Sequence, residues 1–335
     1  MYYERVLSDG FAELLMADGQ LRWLFDYVKS HDDLDFLLGK NNEKEWISVY
    51  RGLTRIFMIS QPNDRNMKTG EFSVGAAQAY KDICPGFFGK KMISDISLSP
   101  IEEIRKYLEG KGYSDRYYGN KKEGYYQNSL SRKFGICGSN DSDFVILDKE
   151  VVVGYKNQDE KDRLFLPMRD EYKKLLGIIS DIDPGRYGKN LAANSIGNEL
   201  DFLAVNKQGD ILLIELKHGT NTAGIYLSPL QIGLYYEIFK DFQSNKNLTC
   251  TLESAVNKMF MQKQKIGLIN PNWKLPALSG KIIPVLIVCE PYAKSSARKK
   301  FHEILKICKE KRNVDFLKGL LTFAYTEDRG LTPWV

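Results

Sequence analysis

The chain has 335 residues, with 43% hydrophobic, 27% charged and 12% aromatic side chains. That composition excludes a disordered chain, a collagen and a disulfide scaffold, and the length suits about two domains. Net charge is +5, unevenly spread: residues 1–165 carry 24 basic and 26 acidic side chains and residues 166–335 carry 24 and 17, so the second half is the better partner for a polyanion. The longest apolar run, Ile282–Cys289, is too short to span a bilayer. The first residues lack the layout of a signal peptide. Five scattered cysteines (84, 137, 250, 289 and 308) form no CxxC pair, as expected of reduced thiols in a cytoplasmic protein without a zinc knuckle.

In chain order, residues 11–38 have a mostly helical pattern, including DDLDFLL. Residues 46–60, rich in β-branched and aromatic side chains, read as a strand or a bent pair. Ser99, Pro100 and Gly110 mark a helix as N-cap, first position and stop. Residues 143–155 read as a hairpin turning at Asp148–Lys149. The polar stretch 157–162 reads as a connection, which sets a domain boundary near 165 and gives an α+β domain at 1–165 and a second domain at 166–335. The second begins with a helix at PMRDEYKKLLGII, Pro167 near its start. Strands follow at 199–205 and 210–217 around a turn at 206–209, then helices at about 229–242 and 251–265. A buried strand at 282–289, a basic helix at about 295–311 and a strand at 320–325 complete it. The order α, β, β, α, α, β, α, β predicts a mixed sheet with helices on both faces.

The informative stretch is NELDFLAVNKQGDILLIELK. Strand alternation puts Glu215 and Lys217 on one side, at the end of a run apolar on both faces. Pairing Asn206 with Asp210 about the turn sets Asp201 opposite Glu215, and opposed Cβ atoms lie about 5 Å apart. Two adjacent carboxylates repel unless a positive charge stands between them. Mg²⁺, a hard ion that prefers oxygen and keeps several waters, would do that, and Lys217 could then orient or deprotonate such a water.

These residues resemble the PD-(D/E)XK nuclease superfamily, in which a carboxylate on one strand is followed by a D/E-x-K tripeptide on the next: here Asp201, then Glu215-Leu216-Lys217. The phrasing is similar to the RecB-like and NucS-like branches, which place Gln-x-x-x-Tyr on the next helix; Gln231 and Tyr235 have that spacing and share a helical face. The resemblance covers roughly residues 165–290 and leaves the first half unplaced. It implies a restriction-endonuclease-like mixed sheet and an endonuclease dependent on Mg²⁺ or Mn²⁺, DNA ahead of RNA as substrate, in microbial defence or DNA repair. Asp201, Glu215 and the Leu216 carbonyl would hold the metal, Lys217 would position water, and Gln231 and Tyr235 would support the site or contact phosphate. Glu171 is the candidate for the further carboxylate such proteins carry before the first strand, with Glu199 in competition. Two departures stand out: no proline precedes Asp201, and the four cysteines of some relatives are absent.

Alternation turns His218 away from the site, which favours a structural role, and three scattered histidines give no support to a His-based site. Gly185–Lys189 lacks the spacing of a phosphate loop. Two stretches combine cations with aromatics or a helix face: 105–126, with six tyrosines among six cations, and 294–312, with eight Lys/Arg against two acids. Each has a plain reading, as a packed tyrosine-rich loop or a solvated face, beside one as a nucleic-acid contact. The competing reading of the whole chain is a nucleic-acid-binding or regulatory protein on the same fold that does not cleave by itself; a third is a partner-dependent subunit, with residues 1–165 sensing a ligand or docking to another protein, as a homodimer or with a partner subunit. No membrane partner is expected.

Overall fold

A computed structural model describes residues 1–3, 5–63, 70–110, 118–119, 121–182, 196, 199–244, 251–311 and 316–334. The Gly185–Lys189 loop, Cys250, Lys111 and Arg116 lie outside the described residues. The architecture is mixed α/β with two sheets, of five and six strands. The chain divides into two compact units: one holds residues 4–147 and 255–274, the other 1–3, 148–254 and 275–335. The division therefore falls at 147/148 rather than near 165.

In the first unit, α1 (Asp9–Glu13) and α2 (Arg22–Ser30) precede an antiparallel meander of β1 (Asp35–Lys40), β2 (Lys44–Arg51), β3 (Thr54–Pro62), β4 (Glu71–Gly75) and β5 (Gly89–Met92), paired in that order. Residues 46–60 are thus a bent pair. DDLDFLL, expected to be helical, supplies β1, which pairs with β2 from Asp35–Tyr50 to Lys40–Glu45 and is buried on both faces. Its leucines have no strong local strand preference, so pairing and burial overrode propensity. Helix α3 (Ser99–Gly110) follows the expected span, and buries Ile101, Ile104 and Leu108. Its first helical carbonyl belongs to Leu98, so the cap lies one residue before Ser99. Helix α4 (Glu123–Lys133) buries Arg132, whose guanidinium donates to the carbonyls of Val28, Lys29 and Leu34 at 2.7–2.9 Å. Residues 255–274 belong here because Gln262 both donates to and accepts from the Leu7 backbone (2.8 and 2.9 Å), and Trp273 donates to the Ser142 carbonyl at 3.0 Å.

The expected hairpin at 143–155 is instead one strand, β6 (Phe144–Val151). Asp148 and Lys149 are buried rather than turned to water, and Tyr3 donates to Asp148 at 2.6 Å; this partner 145 residues away cannot be read locally. Helix α5 (Gln158–Ile182) starts nine residues ahead of Pro167, which lies inside it. The stretch 157–162 is a helix start, not a linker. Asn157 accepts the Glu160 N–H (2.9 Å), and Glu160 accepts the Lys156 N–H (2.8 Å) and pairs with the terminal ammonium (2.9 Å).

The rest of the second unit runs β7 (Leu200–Asn206), β8 (Ile211–His218), α6 (Thr222–Ser244), β9 (Ile282–Cys289), α8 (Ala297–Lys311), α9 (Phe316–Gly319), β10 (Leu321–Thr326) and β11 (Gly330–Pro333), while α7 (Leu252–Ile266), between α6 and β9 in the chain, falls from residue 255 on in the first unit. The sheet order is β11-β10-β9-β8-β7-β6, with β8, β9 and β10 parallel and β7 antiparallel to β8. Helix α6 begins seven residues before the expected Pro229, at an Asn221 cap that accepts the Gly224 N–H at 2.9 Å. Among the described residues no helix is long and apolar enough to cross a membrane.

Candidate functional site

The turn between β7 and β8 sets the register. Asn206 accepts N–H groups from Gln208 (3.0 Å) and Asp210 (2.8 Å), and its own N–H donates to the Asp210 carbonyl (3.1 Å). Gly209 adopts φ +79°, and a Cβ there would strike the Ala277 carbonyl oxygen, so glycine is required by both conformation and space. Asp210 is held below the usual carboxylate range: burial pushes it up, but hydrogen bonds from Ser279 and Asn206 outweigh that.

From this turn the pairs run Val205–Ile211, Ala204–Leu212, Leu203–Leu213 and Phe202–Ile214. The paired register ends at Phe202–Ile214, so the expected Asp201–Glu215 pair lies one step beyond the ladder. There the Asp201 carboxylate accepts the N–H of Leu216 at 2.7 Å. Glu215 is 1% exposed and Lys217 7%, and the Lys217 ammonium stands 2.5 Å from Glu215 Oε1. Such burial of two charges survives because each is the other's partner.

Helix α6 packs on β8 and β9 and carries Gln231 and, one turn later, Tyr235. The Tyr235 hydroxyl is held well above its ordinary value of 10, first by burial and then by the charges of Glu215 and Asp201, while the Glu199 N–H works the other way. Burial and those two negative charges together favour the neutral phenol at Tyr235. Gln231 is half-buried on the same helix.

Glu171 is not brought to this group. It is exposed on α5 and pairs with Lys174 at 2.8 Å. The inward stripe of α5 is Tyr172, Leu175, Leu176 and Ile179, the spacing of one helical face, and Glu171 falls off it. Its neighbour Tyr172 points inward and donates to Glu237 on α6 at 2.9 Å. Glu199, the competitor, is the acidic residue whose backbone and charge reach Tyr235. His218 is engaged with Thr220 (Nδ1 to Oγ1, 2.8 Å), away from the carboxylates.

The described part of 105–126 follows the packed reading. Arg51 lies over the Tyr118 ring at 4.3 Å, Tyr125 meets Tyr118 and Tyr126 edge-on, and Arg105 pairs with Asp33 at 3.0 Å.

The donor set suits a hard divalent ion in kind. Asp201, bonded to the Leu216 N–H, and the adjoining Glu215 both offer carboxylate oxygens, and one ammonium against two carboxylates leaves a net negative charge in a largely buried place. Among the described residues no group of three or more His, Cys, Asp or Glu side chains is arranged to hold a metal, so water and a main-chain carbonyl such as that of Leu216 would complete the shell. No family model, no curated protein and no solved structure matches the chain.

Proposed function

We propose that this chain is a nuclease that hydrolyses phosphodiester bonds with Mg²⁺ or Mn²⁺. The observation that carries the reading is the end of the β7–β8 pair, where Asp201 accepts the Leu216 N–H next to the buried Glu215–Lys217 pair and the charges of both carboxylates act on Tyr235. The succession of α5, the β7–β8 hairpin, α6 and the parallel strand β9 supports the restriction-endonuclease-like arrangement that the resemblance implies. Asp201 and Glu215, with the Leu216 carbonyl, would hold the ion; when bound it would lower the pKa of a water and offset charge on the phosphate. The remaining work falls to the chain. Lys217, drawn from Glu215 toward the substrate, would hold the attacking water or the phosphate oxygen. Tyr235, kept neutral, would donate a hydrogen bond to an oxygen of the site rather than repel it. DNA stands ahead of RNA as substrate.

One observation favours a second reading, a nucleic-acid-binding or regulatory protein that does not cleave alone. Lys217 already neutralises Glu215, and Asp201 already accepts a backbone N–H, which is how such residues would stand in a purely structural role.

The test is incubation of plasmid, linear and single-stranded DNA and of RNA with Mg²⁺, Mn²⁺ or EDTA, beside Asp201→Asn. Asparagine keeps an acceptor for the Leu216 N–H and removes the charge. The expected result is metal-dependent cutting reduced at least a hundredfold in the variant. Cutting at the wild-type rate by Asp201→Asn would reject the site, and no cutting by the wild type in any arm would favour the second reading.

A further inference from the structure

At the carboxyl ends of β8 and β9, a cavity of about 310 Å³ opens between Gly219, Val288, Pro291 and the start of α8, with Tyr292, Arg298, Arg329 and Trp334 in its wall. It begins at Gly219, just past the end of β8 and two residues after Lys217. Gly219 is needed there because a Cβ would strike the Glu290 carbonyl oxygen. Tyr292 is 65% exposed, an aromatic face offered to solvent, and Trp334 is fixed against Phe301 of α8 at 5.5 Å between ring centres.

The first turn of α8 breaks a rule of helix electrostatics. Its N–H groups lack helical acceptors and make this end positive, which favours acids and disfavours cations. Yet Arg298, Lys299 and Lys300 occupy that turn, with no acid among them. Nearby acids offset this only in part: Asp328 lies 3.8 Å from Arg329, and Glu290 accepts the Glu327 N–H at 3.3 Å. An anion in the cavity would reverse the unfavourable sum, meeting the helix end and two guanidinium forks together.

We propose that this cavity binds a nucleoside phosphate, with the phosphate between Arg298, Arg329 and the α8 terminus, and the base on the Tyr292 ring. A phosphate calls for planar cationic donors and a base for an exposed aromatic face, and both line the same space. That the occupant is a nucleotide of a strand, next to the one being cut, rests on the nuclease reading; the binding of a nucleoside phosphate does not.

The experiment measures binding in EDTA, where metal-dependent cleavage is silent. A fluorescent single-stranded oligodeoxynucleotide is titrated into the full chain and into Arg298→Gln/Arg329→Gln, Arg298→Lys/Arg329→Lys and Tyr292→Ala, with melting curves to check that each folds. Deoxynucleoside monophosphate and inorganic phosphate serve as competitors. The double glutamine variant is expected to weaken binding at least tenfold, the lysine pair to recover part of it, and Tyr292→Ala to weaken the mononucleotide while leaving inorganic phosphate unchanged. Tighter binding of the oligonucleotide than of the mononucleotide would identify a strand as occupant; equal binding would identify a free nucleotide, and both support the pocket. Equal affinity of wild type and folded double glutamine variant for every probe, or inorganic phosphate competing as well as the mononucleotide, would overturn the proposal whether or not the chain cleaves.

Discussion

Lys217 and Glu215 form a buried pair at 2.5 Å, so the two residues have unequal value as tests. Removing the lysine leaves a carboxylate in a dry place, and breaking such a pair costs about 3–5 kcal/mol. Lys217→Met is therefore expected to lose stability as well as activity, and Glu215→Gln/Lys217→Met to recover most of that loss in urea unfolding. If the single variant is as stable as wild type, the pair is not held as described. Tyr235 adds a pH signature. Its folded pKa is raised well above 10, so above pH 10 the unfolded chain gives up this proton while the folded chain keeps it. Stability then falls as pH rises, by up to about 1.4 kcal/mol per pH unit for a single group. Tyr155, pushed to about 12 mainly by burial, adds to the same trend. The decline between pH 10 and 11 should be shallower in Tyr235→Phe; an identical slope would show that the hydroxyl is not so confined.

At the scale of elements, helix starts and one turn matter most. Asn157 caps α5, and Asn157→Ala is expected to cost about 1 kcal/mol in denaturant unfolding. Glu160, in the same turn, is held below its ordinary 4.5 by the Lys156 N–H and then by the terminal ammonium. That stabilisation is complete above pH 4.5 and disappears as pH falls through the lower folded value. Acetylating the amino terminus should reduce this acid sensitivity. The β7–β8 turn has a larger consequence. Gly209→Ala has neither the conformation nor the room, and a slip of one residue would turn Asp201 to the opposite face. Loss of more than about 1 kcal/mol, with loss of activity beyond what stability explains, is the expected outcome. An active, stable Gly209→Ala protein would separate the register from the site.

Across the whole molecule, charge is the feature with a measurable reach. Residues 166–335, with 24 basic against 17 acidic side chains, are expected to bind a polyanion in a salt-dependent way. The logarithm of the affinity should fall linearly with that of salt, by about 0.7 per phosphate contacted on a single strand and 0.9 on a duplex. Reversing Arg298 and Arg329 should flatten that slope; an unchanged slope would place the phosphate contacts elsewhere. The two compact units, each assembled from segments distant in sequence, also mean that cutting the chain at 165 would divide α5 and strand its cap. A split after residue 165 is expected to give insoluble or unfolded fragments.

Much of the second unit was legible because its signals are local. An apolar run bounded by charges marks β8, an Asn–Gly-containing turn sets the register by counting, and Gln231 and Tyr235 share a helical face by spacing alone. The β9 span is legible for the same reason, since eight apolar residues bounded by polar ones can be read without knowing their neighbours. What failed depends on partners far along the chain. Asp148–Lys149 looks like a turn until Tyr3 reaches Asp148; DDLDFLL looks helical until β2 pairs with it; 157–162 looks like a linker until Asn157 and Glu160 close a helix start. Glu171 was misplaced by a single position, although the Tyr172–Ile179 stripe that turns it outward is present in the sequence. The sequence by itself determined the order of elements from β7 to β10 and the β7–β8 register from Val205–Ile211 to Phe202–Ile214, because strand and turn periodicity are short-range rules. Only the tertiary structure decided which charges are buried, where the units divide, and that Arg298 and Arg329 share one cavity wall, because burial and long-range pairing are properties of the packed chain and not of its local pattern.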